Sequence, residues 1–373
     1  IKDGVPEMSE MGAVVGGWKT RVKAIKMETS AMGGDSHIWV KDGKLNIGPR
    51  RVIPLCRAAD LYPDFLELLK INPMPTKTLI GMNFQPTTFF TRTEYEAMGL
   101  NDLEQELLDS ISSSPTSLRE LRSRMGRYPS TRILDSLIQK RLVQCIGFTP
   151  TDALHVLGDY TARNVEAAEV GAEYLGSLCK RTGEEFARYV KETFAKNMAS
   201  DLISFFLEGI PREEIRKIFD IDCPTKFKVD IPVVLIGGPV VAYKDILGNI
   251  IDAEIIVPKY SDVGNATGAL AAKGVRRVDF LIRPASMAAP DWEYYVFSEK
   301  GRQSFYEYKD AIKYARETGQ SMVMQYMEDA GLDPDHVEID VKKDEIVPEG
   351  WDFPMETKIR IMGVGTRLID EEA

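Results

Sequence analysis

The chain has 373 residues, enough to bury a sizeable core and to form two or three domains. Its net charge of −10 opposes general affinity for nucleic acid, and its hydrophobic content of 44% is that of ordinary globular proteins. No apolar stretch reaches the length of a membrane span and no signal peptide is recognisable, so we expect a cytoplasmic protein with no membrane partner. Neither a zinc site nor a disulfide framework is predicted for the four widely spaced cysteines, Cys56, Cys145, Cys179 and Cys223.

The first residues are typical of a strand end, an Asp3-Gly4 turn and the start of a second strand, without an initiator methionine. We therefore expect a fragment, with further sequence upstream. Residues 1–98 then alternate short strand signals with glycine turns, and an Asp42-Gly43 turn leads to a further strand from Leu45. This pattern predicts the β-rich part of one lobe.

Residues 99–148 change to helices with apolar residues at a spacing of 3.6. Ser117 and Glu120 form a capping-box signature after a serine-rich break at 112–114. Three short helices followed by a strand at 141–148 predict an inserted helix-turn-helix with a wing.

Residues 149–285 predict a second, α/β lobe that begins with helices, including a long helix at 184–207. Further on, one apolar run ends at Gly237-Gly238-Pro239, and a second ends at Pro258 ahead of a helix start at Gly264. These runs predict two buried strands that end in glycine-rich turns, where a ligand can approach bare backbone.

The last region, residues 286–373, predicts a separate small α/β sandwich. Strands are expected at 292–297, 336–341 and 357–361, and a helix is expected at 305–330.

Several motifs follow one another in a fixed order along residues 1–275. They are Gly16-Gly17-Trp18-Lys19-Thr20-Arg21-Val22, residues 27–36 with Gly33-Gly34-Asp35-Ser36, Gly48-Pro49, residues 150–158, Gly237-Gly238 and Val257-Pro258. In this order they resemble the hydantoinase A / oxoprolinase family. The resemblance implies an α/β fold of actin-like (ribonuclease H-like) ATPase lobes that clasp ATP and Mg²⁺, here with an inserted winged helix and a C-terminal α/β sandwich.

The function that the resemblance implies is that of an ATP-dependent hydrolase, which opens a cyclic amide by phosphoryl transfer, or of the ATPase subunit of a related enzyme. The expected partners are the nucleotide, a small cyclic amide substrate, and a partner subunit or a second copy of the chain. A first phosphate loop is expected upstream of Ile1 in this family, so we expect the chain by itself to bind nucleotide weakly and to be an incomplete catalyst.

Roles for individual residues also follow from the resemblance. Phosphate would be cradled by Gly33 and Gly34. The adenosine would lie against Gly237, Gly238 and Pro239, and the cleft would be closed from a helix N-terminus by Gly264, Thr267 and Gly268. The catalytic candidates are Asp35, Ser36 and Asp152, with Asp35 also the candidate metal ligand, and Arg21 and His37 would make polar contacts.

Asp35 stands where the family more often has a third glycine before the serine, which implies a recruited metal or a repelled anion. A subfamily with an altered substrate is therefore favoured. For Asp152 a helix-capping role beside Thr151 and Pro150 is favoured over catalysis. His37 and His155 adjoin apolar runs and are interpreted as structural histidines, and Gly237-Gly238 taken alone equally fits a tight turn after a buried strand.

Residues 111–148 carry an excess of five positive charges. Their cations are Arg119, Arg122, Arg124, Arg127, Arg132, Lys140 and Arg141. One interpretation places a recognition helix from about Ser130 in a DNA major groove, making the chain a regulatory protein with an actin-like sensor core. The other, which we favour because acidic residues flank the segment and no basic tail supports it, is a protein contact or a lid over the cleft.

Overall fold

The computed structural model describes residues 7–9, 12, 14–15, 18–19, 24–207, 209–221, 226–271, 273–286, 293–351 and 353–365. Gly16, Gly17, Arg21 and Cys223, which the sequence analysis singled out, lie outside these ranges. The described part is mixed α/β, as the sequence predicts.

The strands in chain order are β1 (Met8–Ser9), β2 (Val14–Val15), β3 (Trp18–Lys19), β4 (Ala24–Ile25), β5 (Ser36–Lys41), β6 (Lys44–Arg51), β7 (Ile53–Pro54), β8 (Phe89–Arg92), β9 (Thr116–Ser117), β10 (Val143–Gly147), β11 (Lys228–Val234), β12 (Asp252–Ile256), β13 (Gly274–Pro284), β14 (Tyr294–Ser298), β15 (Gly301–Phe305), β16 (Glu338–Ile346) and β17 (Glu356–Gly365).

The α-helices are α1 (Leu55–Leu61), α2 (Phe65–Lys70), α3 (Lys77–Gly81), α4 (Asp102–Ser110), α5 (Leu118–Met125), α6 (Thr131–Gln139), α7 (Pro150–Val156), α8 (Val165–Leu178), α9 (Gly183–Phe206), α10 (Arg212–Phe219), α11 (Lys244–Ile250), α12 (Gly264–Ala271) and α13 (Tyr308–Asp329). Single 3₁₀ turns lie at Val240–Tyr243, Ser261–Val263 and Pro334–His336.

The chain divides into two compact units. The larger consists of Val14–Trp18 and Met27–Asn265, and the smaller takes the described residues of Ile1–Ala13, Lys19–Lys26 and Ala266–Ala373. The division falls inside α12, and β13 belongs to the C-terminal sheet, although the sequence analysis assigns residues up to 285 to the second lobe.

The first core of the larger unit lies where helices α1, α2, α8 and α9 pack on a four-stranded sheet and the β5–β6 hairpin. The sheet has the order β7-β10-β8-β9, and the hairpin turns at Asp42 and Gly43, both with positive φ, as the Asp-Gly signal predicts. Phe148 and Phe186 are fully buried with ring centroids 5.7 Å apart, and burial of each side chain contributes about 2 kcal/mol.

Helices α1 to α3 occupy a region that the sequence predicts to be β-rich. Each has seven residues or fewer, which is too short for apolar residues to repeat at 3.6 spacing. Their stability comes from tertiary packing, since Leu55 and Phe65 are fully buried in the first core.

The segment from α4 to β10 has its own core, centred on Leu107, Leu121, Leu134 and Leu137. The predicted capping box of Ser117 and Glu120 is confirmed at the start of α5. The three helices and the strand occur in the predicted order. β10 pairs antiparallel with β8 and parallel with β7, and α7 follows it directly.

The second half of the larger unit is built around the long helix α9, predicted at 184–207 and observed at Gly183–Phe206. Helices α9 and α11 pack with β11 and β12, which form a parallel two-stranded sheet. Leu235, Leu247 and Ile251 are among the buried residues of this core.

The smaller unit contains a five-stranded antiparallel sheet of order β15-β14-β13-β17-β16. Helix α13 covers one face, where Gly319 and Gly363 allow helix and sheet to approach closely. This is the α/β unit that the sequence predicts near the C-terminus, extended by β13.

Candidate functional site

A cavity of about 700 Å³ lies in the larger unit, a volume typical of small-molecule sites. Its walls are mostly apolar. The lining residues are Met27, Glu28, Thr29, Ser30, Ala31, Met32, Met198, Asp201, Leu202, Phe205, Arg212, Val233, Val234, Leu235 and Leu247.

One wall of the cavity is a stripe on α9. Met198, Asp201, Leu202 and Phe205 stand at positions i, i+3, i+4 and i+7, so they share one face of the helix. Arg212, near the start of α10, donates from Nη1 to Asp201 Oδ1 at 3.0 Å. The only opposite-charge pair among the lining residues described here therefore lies at the α9–α10 end of the cavity.

Other lining residues come from the two segments that precede the glycine turns of the predicted nucleotide site. Residues 27–32 run directly into the Gly33-Gly34 turn, and Val233–Leu235 are separated from Gly237-Gly238 only by Ile236. The glycines themselves flank the cavity and do not line it.

The turn after β11 depends on glycine. Gly237 has φ of 142°, a conformation that side chains rarely adopt, and its N–H donates to the Ser261 carbonyl at 2.7 Å. A Cβ on Gly264 would lie 2.1 Å from Ile236 Cγ2. The strand end and the start of α12 are therefore in direct contact, and the amide of Gly238 makes no hydrogen bond within the described residues.

Pro239 lies at the N-terminal edge of the 3₁₀ turn at Val240–Tyr243. Thr267 and Gly268 lie within α12, in the part of that helix assigned to the smaller unit, and neither is among the residues that line the cavity.

The Gly33–Ser36 turn is held largely by its own atoms and by α7. The Gly33 N–H donates to Ser36 Oγ at 2.8 Å, and Ser36 is buried. The carbonyl of Gly34 accepts from Thr151 N–H at 3.1 Å and from Thr151 Oγ1 at 2.7 Å. The N–H of Gly34 donates to no acceptor among the described residues, so it is available to donate to a ligand.

Asp35 forms a forked ion pair with Arg51. Arg51 Nε lies 2.9 and 2.8 Å from the two carboxylate oxygens, and Nη2 lies 2.7 Å from Oδ2. Both oxygens that would bind Mg²⁺ are thus engaged by a guanidinium. Across the described residues, no group of three or more His, Cys, Asp or Glu side chains is arranged to hold a metal.

Asp152 is fully buried and caps two helices. Oδ1 accepts from Cys56 N–H at 2.8 Å, and Oδ2 accepts from Leu55 N–H at 3.2 Å, both at the start of α1. Oδ2 also accepts from Thr149 N–H and Oγ1 at 2.9 and 2.8 Å, which completes a capping box for α7. The capping interpretation is confirmed, with Thr149 and not Thr151 as the N-cap residue.

The two histidines near apolar runs differ. His155 is buried and satisfied, because Nδ1 donates to the Thr151 carbonyl at 2.8 Å and Nε2 accepts from Arg163 N–H at 3.1 Å. His37 is buried with Nε2 unpartnered among the described residues. Burial, and secondarily the charge of Arg50, lowers the pKa of His37 to about 3, so the ring is neutral at physiological pH.

Most cations of the predicted basic segment are engaged within the chain. Arg127 pairs with Glu106 at 2.6 Å, Lys140 pairs with Glu104 at 2.8 Å, and Arg124 reaches the Ser110 carbonyl at 2.7 Å. On the proposed recognition helix α6, Ser136 bonds Glu104 and Asp135 pairs with Arg50. Few side chains of this helix are left to contact bases.

Sequence reasoning missed the cavity residues Asp201, Phe205 and Arg212. The spacing of Asp201 and Phe205 on α9 is the spacing of any buried helix face, and Arg212 at the start of α10 belongs to no motif, so neither pattern separates a cavity wall from a core. This face of α9 lines a cavity only because residues 27–32 and the end of β11 lie beside it in the folded chain.

A scan of protein-family models and searches of curated proteins and of solved structures find no match for this chain. None of the described helices combines the length and the apolar character that a membrane-spanning helix needs.

Proposed function

We propose that this chain is the nucleotide-binding core of an ATP-dependent hydrolase of the hydantoinase/oxoprolinase type, or of the ATPase subunit of a related enzyme, built from actin-like lobes. One observation carries the proposal. The segments ahead of both predicted glycine turns, residues 27–32 and Val233–Leu235, line the same cavity of about 700 Å³. Two signals far apart in the sequence thus lead to one ligand-sized space.

The cavity walls suit the base and ribose of a nucleotide. Phe205 and Met198 offer an aromatic ring and a polarizable thioether to a flat heterocycle. Asp201 offers carboxylate oxygens that accept hydrogen bonds from hydroxyl groups. The amides of Gly34 and Gly238, which make no hydrogen bond to any described residue, lie just beyond the lining segments and would bind phosphate oxygens.

When bound, ATP supplies the phosphoryl group that makes an amide oxygen a good leaving group. Mg²⁺ would be bound by the phosphates of ATP and not by Asp35, because Arg51 pairs with both carboxylate oxygens of Asp35. The cyclic amide substrate rests on the family resemblance alone.

Calorimetric titration with adenosine and with Mg·ATP tests the proposal. Adenosine needs no phosphate loop, so it reports on the cavity itself. Val234 lines the cavity and is half exposed, so we expect Val234→Trp to fill the space and weaken binding of adenosine at least tenfold.

Ile231→Trp is the matched control, because Ile231 is on the same strand, is similarly exposed and does not line the cavity. It should bind adenosine as the unaltered chain does. Absence of binding to the unaltered chain, or equal loss in both variants, would contradict the proposal.

The alternative, a DNA-binding regulator whose segment from α4 to β10 acts as a winged helix, receives less support. The acidic partners of Arg127 and Lys140 neutralise the charge that phosphate binding would need. The observation in its favour is that Arg119 and Arg132 are exposed and have no ion-pair partner in the described residues.

A further inference from the structure

In the part of the chain that the structure describes, helix α13 covers only one face of the C-terminal sheet. Val278, Phe280 and Ile282 on β13 are buried against α13, as are Tyr294 and Val296 on β14. Because side chains alternate along a strand, the residues between them point to the opposite face. We call that opposite surface of β15, β14, β13 and β17 the open face.

Aromatic side chains stand near the middle of the open face. Tyr295 and Phe297 are two residues apart on β14, and their ring centroids are 6.4 Å apart with the planes at 85°. Phe297 lies opposite Leu281 of β13 in the strand register. Phe297 is 39% exposed, so part of this apolar side chain remains in contact with solvent.

Positive charge surrounds these rings. Arg302 on β15 lies opposite Phe297, its guanidinium is 4.7 Å from the Tyr295 ring centroid, and it has no ion-pair partner within the described residues. The open-face positions of these strands carry five cations and two carboxylates, a net charge of +3. They are Arg277, Arg283, Arg302, Lys358 and Arg360, with Asp279 and Glu356.

Asp279 and Glu356 each pair with two cations, so these ion pairs retain a net positive charge. Asp279 lies 3.2 Å from Arg277 and 3.5 Å from Arg360. Glu356 lies 2.9 Å from Arg283 Nε and 3.2 Å from Lys358. In a chain with a net charge of −10, this arrangement concentrates positive potential on one sheet surface.

The positively charged surface of the open face ends at strand β16. On the neighbouring strand β16, the open-face positions Glu338, Asp340, Lys342 and Asp344 carry a net charge of −2. Next to the rings, Glu293 accepts a hydrogen bond from the Tyr295 hydroxyl at 3.3 Å. The positive charge therefore covers four adjacent strands, β15, β14, β13 and β17. An anionic ligand would bind to these strands and not to β16.

We propose that the open face binds single-stranded nucleic acid, with bases stacked on Phe297 and Tyr295 and phosphates held by Arg302, Arg283 and Lys358. Exposed aromatic rings on an antiparallel sheet accept the flat faces of unpaired bases, and surrounding cations neutralise the backbone. A duplex hides its base faces and offers no partner for the rings. This inference does not depend on the proposed nucleotide cavity in the larger unit.

Fluorescence anisotropy with labelled 12-nucleotide RNA and DNA strands tests the proposal on the full chain, with a 12-base-pair duplex as comparison. We expect the single strands to bind more tightly than the duplex. Phe297→Ala and Tyr295→Ala should each weaken binding about tenfold, whereas Phe297→Tyr, which keeps a ring, should retain it. Tyr306→Ala is the matched control, because Tyr306 is 82% exposed but lies outside the open-face strands.

The salt dependence gives a second readout. Each phosphate contact in a single strand contributes about −0.7 to the slope of log affinity against log salt concentration. Arg302→Gln should therefore reduce the slope by about 0.7, and Arg188→Gln, an exposed arginine in the larger unit, should leave it unchanged.

The proposal is overturned if no strand binds at 50 mM salt, or if Phe297→Ala and Tyr306→Ala behave alike. It is also overturned if the duplex binds as well as the single strands and binding is lost with Arg119→Gln and Arg132→Gln, which would move the site to the segment from α4 to β10. If Phe297→Ala changes the sedimentation of the protein but not its nucleic-acid binding, the open face is a protein interface and the proposal fails.

Discussion

At the scale of single residues, Asp152 shows how one buried carboxylate organises two helices. The N-cap position of α1 is Pro54, whose side chain has no hydrogen-bond acceptor, so Asp152 receives the N–H groups of Leu55 and Cys56 instead. Burial raises the pKa of Asp152, while these hydrogen bonds act in the opposite direction. Its oxygens are committed to capping, and the catalytic role that the family resemblance assigns to it stays a prediction.

Glu104 is a second buried carboxylate with an identifiable role. It completes the capping box of α4 with Asn101, and it also contacts Ser136 and Lys140 of the α6 region. These contacts, led by Lys140, lower the pKa of Glu104 from 4.5 to about 2. The residue thus links the start of one helix to the end of another.

We expect the stabilising effect of the Glu104 charge to depend on pH. A lowered pKa in the folded state means that the stabilisation is complete above about pH 4.5 and is lost as the pH falls toward 2. Glu104→Gln should therefore lower the urea midpoint at pH 7, and the difference from the unaltered chain should shrink as the pH falls below 4.5. Urea unfolding followed by circular dichroism at a series of pH values measures this difference.

Glu106→Gln is the control for this experiment. Glu106 is on the same helix, but its ion pair with Arg127 is largely solvent-exposed, so its loss should change the midpoint little. A Glu104→Gln difference that stays constant from pH 7 to pH 3 would show that the charge is not responsible.

At the scale of elements, contact between the end of β11 and the start of α12 defines the turn beside the cavity. Gly264 lies so close to Ile236 that a methyl group would overlap it, whereas Gly268, one turn later in the same helix, has nothing within 4 Å of its Cβ position. The sequence predicts both glycines, with Thr267, as parts of one motif that closes the nucleotide cleft. Their surroundings give them different roles.

Alanine substitutions distinguish these two glycines. We expect Gly264→Ala to reduce the free energy of unfolding by about 1–3 kcal/mol, because the added methyl group overpacks against Ile236. Gly268→Ala should leave stability unchanged or raise it by up to about 1 kcal/mol, because alanine is the better helix former. Urea denaturation of both variants measures the effect, and equal stability of the two would refute the close packing of β11 and α12.

Helices and caps are predicted correctly from the sequence where they depend on residues that are close together in the chain. The long helix α9 and the capping box of α5 depend on residues a few positions apart, so both could be predicted from the sequence. Helices α1 to α3 could not, because each buries only a few side chains against distant elements such as α8.

At the scale of the whole molecule, the chain consists of two compact units with separate cores. Phe148 is fully buried in the first core of the larger unit, and Phe280 is buried in the core of the smaller one. Proteins with more than one core commonly depart from two-state unfolding.

We expect scanning calorimetry to resolve two transitions. Phe148→Ala and Phe280→Ala should each cost about 3–5 kcal/mol in the unit that contains the substitution. Each variant should therefore lower the temperature of one transition and leave the other in place. A single transition that both variants lower equally would mean that the two units unfold together.

The sequence by itself determined the mixed α/β class, the long helices, the capping box of α5 and the glycine turns, because each depends on side chains within about four residues of one another. The tertiary structure alone decided which distant residues meet. It joined Asp152 to Cys56 across 96 positions, engaged Arg50 with Asp135, and placed β13 in the C-terminal sheet. It also set residues 27–32 against α9 and β11 to make the cavity. Such contacts follow from the path of the whole chain. The local sequence around each contacting residue is the same whether that residue packs in a core, caps a helix or binds a ligand.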